Sequence, residues 1–222
     1  MASIAVMALA GCASSEHYAP VSDISSIEPI PKNGMHQVKR GETLYEVAWR
    51  YSLDYRILAE RNRVNEGQSL STGRILKLQN NQRSPAPVKT KTRSDADNMS
   101  SLVVADWIKP AAGPIIRGFS GNNKGVNIGG VLGQPVWATA DGKVVYCGNG
   151  LRAYGNLIII KHNNLYLSAY AHNQSMNVRE GQWVKQGQKI AAMGRTGTDH
   201  VMLHFEIRQA GKPVDPLSLL KL

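Results

Sequence analysis

The chain has 222 residues, a formal net charge of +10 and two cysteines. Its length is enough for one large domain or two small domains with a real hydrophobic core. A basic chain can bind nucleic acid, but this sequence has no nucleic-acid-binding motif and no interleaving of aromatic and basic residues. An anionic polymer or an acidic protein partner therefore fits the charge better than nucleic acid does.

The amino terminus predicts a lipid anchor. Residues 1–12 are mostly small and apolar, and residues 9–12 read Leu-Ala-Gly-Cys. This tetrapeptide resembles a bacterial lipobox, which implies cleavage before Cys12 and acylation of its thiol; a chance match is the alternative. The apolar run is too short to span a bilayer as a helix. Ala13 is not the aspartate that signals inner-membrane retention, so the resemblance implies a periplasmic lipoprotein anchored to the outer membrane.

The second cysteine has no partner for a disulfide if Cys12 is acylated. Cys147 follows two valines and a tyrosine in a strand-like pattern. We expect its side chain to pack as a small hydrophobic group, since no nearby base points to a nucleophilic role.

Residues 36–79 predict a small βααβ unit. Residues 37–44 give a short strand, a glycine turn and a threonine N-cap, and apolar residues then recur at helical spacing. A second helix is expected from Asp54, and a strand over residues 74–78 returns to pair with the first. The Gly-Glu-Thr-Leu start and the Leu-x-x-Gly-x-x-Leu end occur in this order, so the unit resembles a LysM peptidoglycan-binding domain.

The LysM resemblance implies binding of the N-acetylglucosamine-containing glycan in a groove between two loops. These loops would be formed by Gly41, Glu42, Thr43, Leu44, Asn62, Arg63, Val64 and Asn65. Trp49 is a further candidate sugar contact, but a tryptophan on an amphipathic helix more often packs in a core. We therefore expect Trp49 to be structural.

Two polar segments predict mobile spacers. Residues 13–35 contain three prolines and would form a tether. Residues 80–105 would form a flexible linker, since residues 80–101 have almost no large apolar side chain. Such compositions bury too little surface to offset the entropy of ordering the chain.

Residues 106–222 read as short strands separated by glycine turns, which predicts a compact, mainly antiparallel β domain. The apolar run over residues 157–160 should be buried on both faces. This domain holds 13 of the basic residues and six of the acidic ones. The predicted fold class is thus an α+β unit followed by a mainly antiparallel β domain.

The β domain resembles the lysostaphin-like, or LytM-type, zinc metallopeptidases, which have a duplicated hybrid-motif fold. The resemblance rests on residues 154–162, 170–172, 194–197 and 203–208. In that family, zinc is held by a His, an Asp and the second His of a His-x-His motif, with two further histidines beside it. The resemblance places these five roles at Asn123, Asn127 and His204, and at His172 and Met202.

Two of the three implied zinc ligands are therefore asparagines. A catalytic zinc ion needs about three anionic or imidazole ligands, so we predict no catalytic residues, no metal and no cofactor. His200 is a possible replacement because alternate strand residues point to one side, but it lies in a turn before the expected strand. The five positions would then form the floor of a vestigial groove.

A lipobox, a LysM unit and a degenerate LytM domain together resemble the NlpD-type activators of N-acetylmuramoyl-L-alanine amidases. The resemblance implies a non-catalytic lipoprotein that binds peptidoglycan and a periplasmic amidase during cell-wall remodelling and daughter-cell separation. Two alternatives are an active zinc endopeptidase with altered ligands and a purely structural wall-binding lipoprotein. A regulatory variant of the first hypothesis has the LysM unit folded onto the LytM groove until glycan binds.

Overall fold

The computed structural model describes residues 28–65, 68–79 and 106–221. The lipobox with Cys12, residues 13–27 of the expected tether and the whole of the expected linker, residues 80–105, lie outside the described residues. Within the described ranges, no helix is both long enough and apolar enough to cross a membrane.

The N-terminal unit has the expected βααβ order. Its elements are β1 (Met35–Gln37), α1 (Leu44–Arg50), α2 (Tyr55–Asn62) and β2 (Ile75–Lys77). The two strands pair antiparallel. The Thr43 hydroxyl accepts a hydrogen bond from the Glu46 amide, and the Asp54 carboxylate accepts one from the Arg56 amide. Both helices therefore begin where side-chain capping satisfies free backbone N–H groups.

The expected tether needs a correction at its end. Ile30 packs against the core of the N-terminal unit, and the carboxylate of Glu28 accepts a hydrogen bond of 3.1 Å from Arg50. Strand β1 begins at Met35, two residues before the strand expected from the sequence. Residues 28–35 thus belong to the unit, because Ile30 and the Glu28–Arg50 ion pair hold them against it. Their composition alone indicates a spacer.

The C-terminal domain is built almost entirely from short strands. They are β3 (Ile115–Arg117), β4 (Val126–Gly129), β5 (Pro135–Trp137), β6 (Gly142–Gly148), β7 (Leu157–Lys161), β8 (Tyr166–Ala171), β9 (Asn173–Met176), β10 (Trp183–Val184), β11 (Lys189–Met193), β12 (Met202–Gln209) and β13 (Lys212–Val214). Two short 3-10 turns, Arg152–Tyr154 and Pro216–Ser218, complete the described elements.

These strands form a large and a small sheet. In the large sheet the order is β10-β6-β7-β8-β12-β4-β3, with β13 also pairing with β12, and in the small sheet it is β5-β11-β9. The ladders between these strands are antiparallel. The predicted fold class, an α+β unit followed by a mainly antiparallel β domain, is confirmed.

Strand β7 shows how the two halves of the chain are joined. Ile158 and Ile160 pack into a cluster with residues of the small sheet, which we call the inter-sheet core. Leu157 and Ile159 point the other way and pack into a cluster with both helices of the N-terminal unit, which we call the shared core. All four side chains are completely buried, as the sequence predicts. One face of the large sheet is thus covered by the small sheet and the other by the N-terminal unit.

The buried His162, just after β7, makes stability depend on pH. Its Nδ1 lies 2.7 Å from the Asp141 carbonyl oxygen, and its Nε2 lies 2.7 Å from the Ser168 hydroxyl. Burial lowers the pKa of His162 to about 4, although its hydrogen bond to Asp141 opposes the shift. The unfolded histidine titrates near about 6.5. The unfolded state therefore binds the extra proton as the pH falls from about 6.5 to 4, and the folded state loses stability over that window.

Replacing His162 with glutamine should reduce this pH dependence, because the group that is neutral only when folded is removed. Urea denaturation of wild type and variant at several pH values between about 7 and 4.5 measures the difference. The matched control is His200→Gln, since the His200 side chain is 74% exposed. An unchanged slope of stability against pH in His162→Gln would contradict the prediction.

Candidate functional site

Strand pairing brings three of the five predicted groove residues together. On β12, His204 lies opposite Asn127 of β4 on one side and opposite Ala171 of β8 on the other. His172 follows directly after β8, where its backbone is left-handed with φ of 65°. The His204 Nδ1 is 2.7 Å from the Asn127 Oδ1, and the two imidazole rings are 6.2 Å apart between centroids.

The other two predicted residues are placed differently. The Asn123 side-chain amide donates to the carbonyl oxygens of Gly118 and Gly125, at 2.8 and 2.9 Å. Its polar hydrogens are therefore used within its own loop. Met202 starts β12 and is half-buried, whereas Asn123, like the other three groove residues, is no more than 7% exposed. Met202 is thus the predicted groove residue with the most exposed surface.

The His204 ring is held by a buried acidic residue. Its Nε2 is 3.1 Å from Oε1 of Glu206, and the other carboxylate oxygen accepts a 3.0 Å hydrogen bond from Arg208. The hydroxyl of Tyr154 donates to Glu206 at 2.7 Å. Residues 204, 206 and 208 lie on one face of β12 because side chains alternate along a strand. A continuous row of buried polar groups therefore runs along this strand.

The charges of this row are carried by the paired side chains of Glu206 and Arg208. The two ring nitrogens of His204 lie beside side-chain groups, one on Asn127 and one on Glu206. Burial acts to raise the pKa of the Glu206 carboxyl, but the charge of Arg208 and the hydrogen bond from His204 hold it below its usual range. A buried carboxylate is thus balanced by the guanidinium of Arg208.

His172 has the opposite character. Burial lowers its pKa to about 4, opposed by its hydrogen bond to the Thr196 carbonyl oxygen, and the nearby His204 lowers it further. Its Nδ1 donates to that carbonyl at 2.8 Å, while its buried Nε2 has no hydrogen-bond partner among the described residues. His172 is therefore neutral at physiological pH and presents an unused acceptor.

A zinc ion does not fit these residues. Zinc sites are made from thiolate, imidazole and carboxylate ligands, and the described residues contain no group of three His, Cys, Asp or Glu side chains that could hold a metal ion. His200 lies outside β12, and its Nδ1 pairs with Asp199 at 2.5 Å on the surface.

Most of the predicted glycan-loop residues have structural contacts. The Glu42 carboxylate binds His36, Arg50 and the Lys39 amide, while the Asn62 side chain ties α2 to β2 through Lys77. Thr43 caps α1, and Leu44 and Val64 are buried in the shared core. The residues that remain exposed are Gly41, Arg63 and Asn65.

Two side chains outside the groove have the structural places expected from the sequence. Trp49 is 3% exposed and packs in the shared core. The thiol of Cys147 is half-buried and donates to the Val178 carbonyl oxygen at 3.3 Å. Burial raises the pKa of this thiol, and the nearby Glu180 raises it further, so little reactive thiolate is present at neutral pH.

Sequence reasoning missed Tyr154, Glu206 and Arg208 as parts of the site. The signal was present in β12, where His, Glu and Arg alternate with Leu, Phe and Ile. Alternation in a strand usually means one buried and one exposed face. Here the polar face is buried too, since the N-terminal unit covers it.

Residues 36–79 match the family described as LysM domain, and residues 121–216 match Peptidase family M23. These matches define the class as a protein with a LysM domain and an M23-type β domain. The chain is 41% identical over 229 residues to the "Lipoprotein NlpD/LppB homolog" of Pseudomonas aeruginosa, and the match covers 85% of this chain and 77% of the relative. The chain therefore belongs to the family of NlpD-like LysM and M23 lipoproteins.

Two further proteins are similar over large parts of their length. The "Murein hydrolase activator NlpD" of Escherichia coli is 38% identical over 264 residues, covering 86% of this chain and 70% of the relative. The catalytic domain of the antimicrobial peptidase lysostaphin from Staphylococcus simulans is 27% identical, covers 59% of this chain and 100% of that chain, and has a TM-score of 0.43.

The buried row on β12 predicts a large effect of one substitution. Glu206→Gln keeps the shape of the side chain but leaves the Arg208 guanidinium, which is 1% exposed, without its counter-ion. Breaking a buried ion pair from one side costs about 3–5 kcal/mol. We expect a loss of that order in the free energy of unfolding, measured by urea denaturation at neutral pH.

The matched control is the double variant Glu206→Gln with Arg208→Met, which removes both charges. It should be more stable than Glu206→Gln alone, because no unpaired charge stays buried. A loss below about 1 kcal/mol in the single variant would show that water reaches Arg208.

Proposed function

We propose that this protein is a non-catalytic, peptidoglycan-binding activator of N-acetylmuramoyl-L-alanine amidases, acting in wall remodelling and daughter-cell separation. The observation that carries the proposal is the hydrogen bond between Asn127 and His204, two positions at which the resemblance to LytM-type metallopeptidases implies zinc ligands. A chain with asparagines at two of the three implied ligand positions can act on the wall through another enzyme. The relative from Escherichia coli is named as a murein hydrolase activator, which supports this role.

The groove around Asn123, Asn127, His172, Met202 and His204 is the proposed contact for the amidase. Peptide-binding grooves of hydrolases are concave and partly apolar, so they suit an inserted segment of another protein. The β domain carries an excess of basic residues, which favours an acidic partner or the anionic wall. No cofactor takes part in this role.

The N-terminal unit is proposed to bind the glycan strands. Gly41, Arg63 and Asn65 are exposed on the two loops that a LysM domain uses, and Arg63 adds a positive charge there. Together with the proposed lipid at Cys12, this contact would hold the protein between the outer membrane and the wall. The extent of the domains is proposed as residues 36–79 and 106–222, joined by residues 80–105.

The first test reconstitutes the activity from purified parts. The soluble protein lacking residues 1–12 is incubated with labelled peptidoglycan, alone and with a periplasmic zinc amidase of the same organism. Label should be released well above the amidase-alone level only when both proteins are present. Equal release by the amidase with and without this protein would leave a structural wall-binding role and exclude an activator of that amidase.

The groove assignment makes a separate prediction. Met202→Glu places a charge at the most exposed position of the groove floor and should reduce amidase stimulation at least about tenfold, since an unpaired charge at an interface costs more than about 1.4 kcal/mol. The matched control is Trp183→Glu, because Trp183 is 48% exposed on β10 at the opposite edge of the large sheet. Equal stimulation by the two variants would place the amidase contact elsewhere.

Metal analysis separates the activator from an altered zinc endopeptidase. After dialysis against a zinc-containing buffer, the wild-type protein should retain far less than one zinc ion per chain. Treating it with a chelator should not change its binding to the amidase. The variant Asn123→His with Asn127→Asp restores three ligands with His204 and should bind zinc more tightly. Stoichiometric zinc in the wild type, with chelator-sensitive release of muropeptides by this protein alone, would overturn the proposal.

A further inference from the structure

The LysM unit lies on the same face of the large sheet as the proposed groove. His204 and Asn127 pair across this face, and His204, Glu206 and Arg208 alternate along β12 with residues of the inter-sheet core. The neighbouring positions on β8, Ala169 and Ala171, belong to the shared core. The LysM unit is therefore packed on the β domain, because its helices form part of the shared core beside the groove.

One polar contact fixes the unit on this face. The guanidinium of Arg208 lies 3.5 Å from the centroid of the Trp49 ring and donates to the Trp49 carbonyl oxygen at 2.8 Å. The same guanidinium pairs with Glu206. Cation–π contacts are strongest when water is excluded, and both side chains are at most 3% exposed. Separating the unit from the sheet would expose the Trp49 ring and would take both of these contacts away from the Arg208 guanidinium.

Tyr154 connects this contact to the groove. Its ring is 6.4 Å from the Trp49 ring and 6.0 Å from the His204 ring, in edge arrangements with both. Its carbonyl oxygen accepts a hydrogen bond of 2.9 Å from the His172 amide. The 3-10 turn that ends at Tyr154 is thus held between the LysM helix α1 and two of the groove residues.

The glycan loops stay partly open in this arrangement. Gly41, Arg63 and Asn65 are exposed, whereas Trp49 and Tyr55 face the β domain. The surface that docks on the sheet is therefore different from the loops proposed to bind glycan. Leu44 links them, since it ends the first loop and starts α1.

We propose that the LysM unit is the resident occupant of the groove face, and that its release lets the groove accept the partner hydrolase. The inference rests on the proposed activator function. While Trp49 and Arg208 are in contact, Tyr154 is fixed against His204 and the groove floor is buried. A partner that needs this floor binds only the fraction of molecules in which the unit has moved, so its apparent affinity is reduced by that fraction.

A glycine at the interface allows a sharp test. Gly211, in the hairpin between β12 and β13, is buried, and a Cβ there would lie 2.6 Å from the backbone nitrogen of Asp54 and from the backbone of Leu53. Those atoms belong to the LysM unit and cannot move without shifting it. Gly211→Asn should therefore push the unit away, and asparagine tolerates the left-handed backbone at this position.

The matched control is Ala210→Asn in the same hairpin. Ala210 is also left-handed, with φ of 48°, but it is exposed. A second undocking variant is Gly150→Trp, since a Cβ at the exposed Gly150 would lie 2.7 Å from Oε1 of Glu46 in α1. None of the three substitutions touches the groove residues.

Two measurements on the soluble protein decide the matter. Hydrogen exchange of the α1 and β7 amides reports docking and needs no amidase. It should speed up in Gly211→Asn and Gly150→Trp and stay as in wild type in Ala210→Asn. In the amidase assay, the two undocked variants should reach half-maximal stimulation at a concentration at least about threefold lower than wild type.

The outcomes separate the two proposals. Faster exchange with unchanged half-maximal concentrations would overturn the gating role and leave the activator function standing. Equally fast exchange in wild type and all three variants would overturn the docking itself. If none of the proteins stimulates the amidase, the activator function fails, and the exchange data still report whether the LysM unit is docked.

Discussion

The structure depends on keeping one buried carboxylate paired. Glu206 is completely buried in the middle of β12, and moving an uncompensated charge of this kind out of water costs several kcal/mol. His204, Arg208 and Tyr154 each contribute a hydrogen bond to it. His204 belongs to the groove, Arg208 contacts the LysM unit, and Tyr154 ends the 3-10 turn between them. The need to satisfy one charge therefore ties both ends of β12 to the turn at Tyr154, 52 positions before Glu206.

The same constraint explains the arrangement around His204. In metal sites, a ligating histidine usually donates its second N–H to a carboxylate, which orients the ring. Glu206 has that relation to His204 here, while the groove partner of the ring is the amide of Asn127. The carboxylate contact that usually orients a metal-binding histidine is thus present at His204, while the neighbouring Asn127 is a poor metal ligand. The Asn127 amide lies 2.7 Å from Nδ1 of His204, the ring nitrogen that does not contact Glu206.

Much of this architecture could be predicted from the sequence. The cap residues Thr43 and Asp54 set the starts of both helices, and the unbroken run over residues 157–160 predicted a strand buried on two faces. Local signals of this kind depend on spacing and backbone chemistry, which a sequence carries. The pattern also predicted that Trp49 would be structural, although it did not identify Arg208 as the group on which the indole packs.

Other features could not be predicted, because they depend on which surfaces meet. Nothing in the composition of residues 28–35 distinguishes a packed segment from a spacer, and the burial of Arg208 follows from contact with a helix about 160 positions earlier. The pairing of Arg208 joins residues distant in the sequence, so periodicity gives no signal for it. The hydrogen bonds of the Asn123 amide are local, but they depend on the conformation of its loop, for which periodicity gives no signal either.

The contact between Trp49 and Arg208 has a consequence for how this family can diversify. Domains joined by a linker are often exchanged during evolution because each folds around its own core. Here a foreign LysM domain without an aromatic ring at this point of its first helix would leave a charge on β12 with no cover. Recombination at the linker would therefore be penalised, and the two halves of the chain are expected to be inherited together and to change in step.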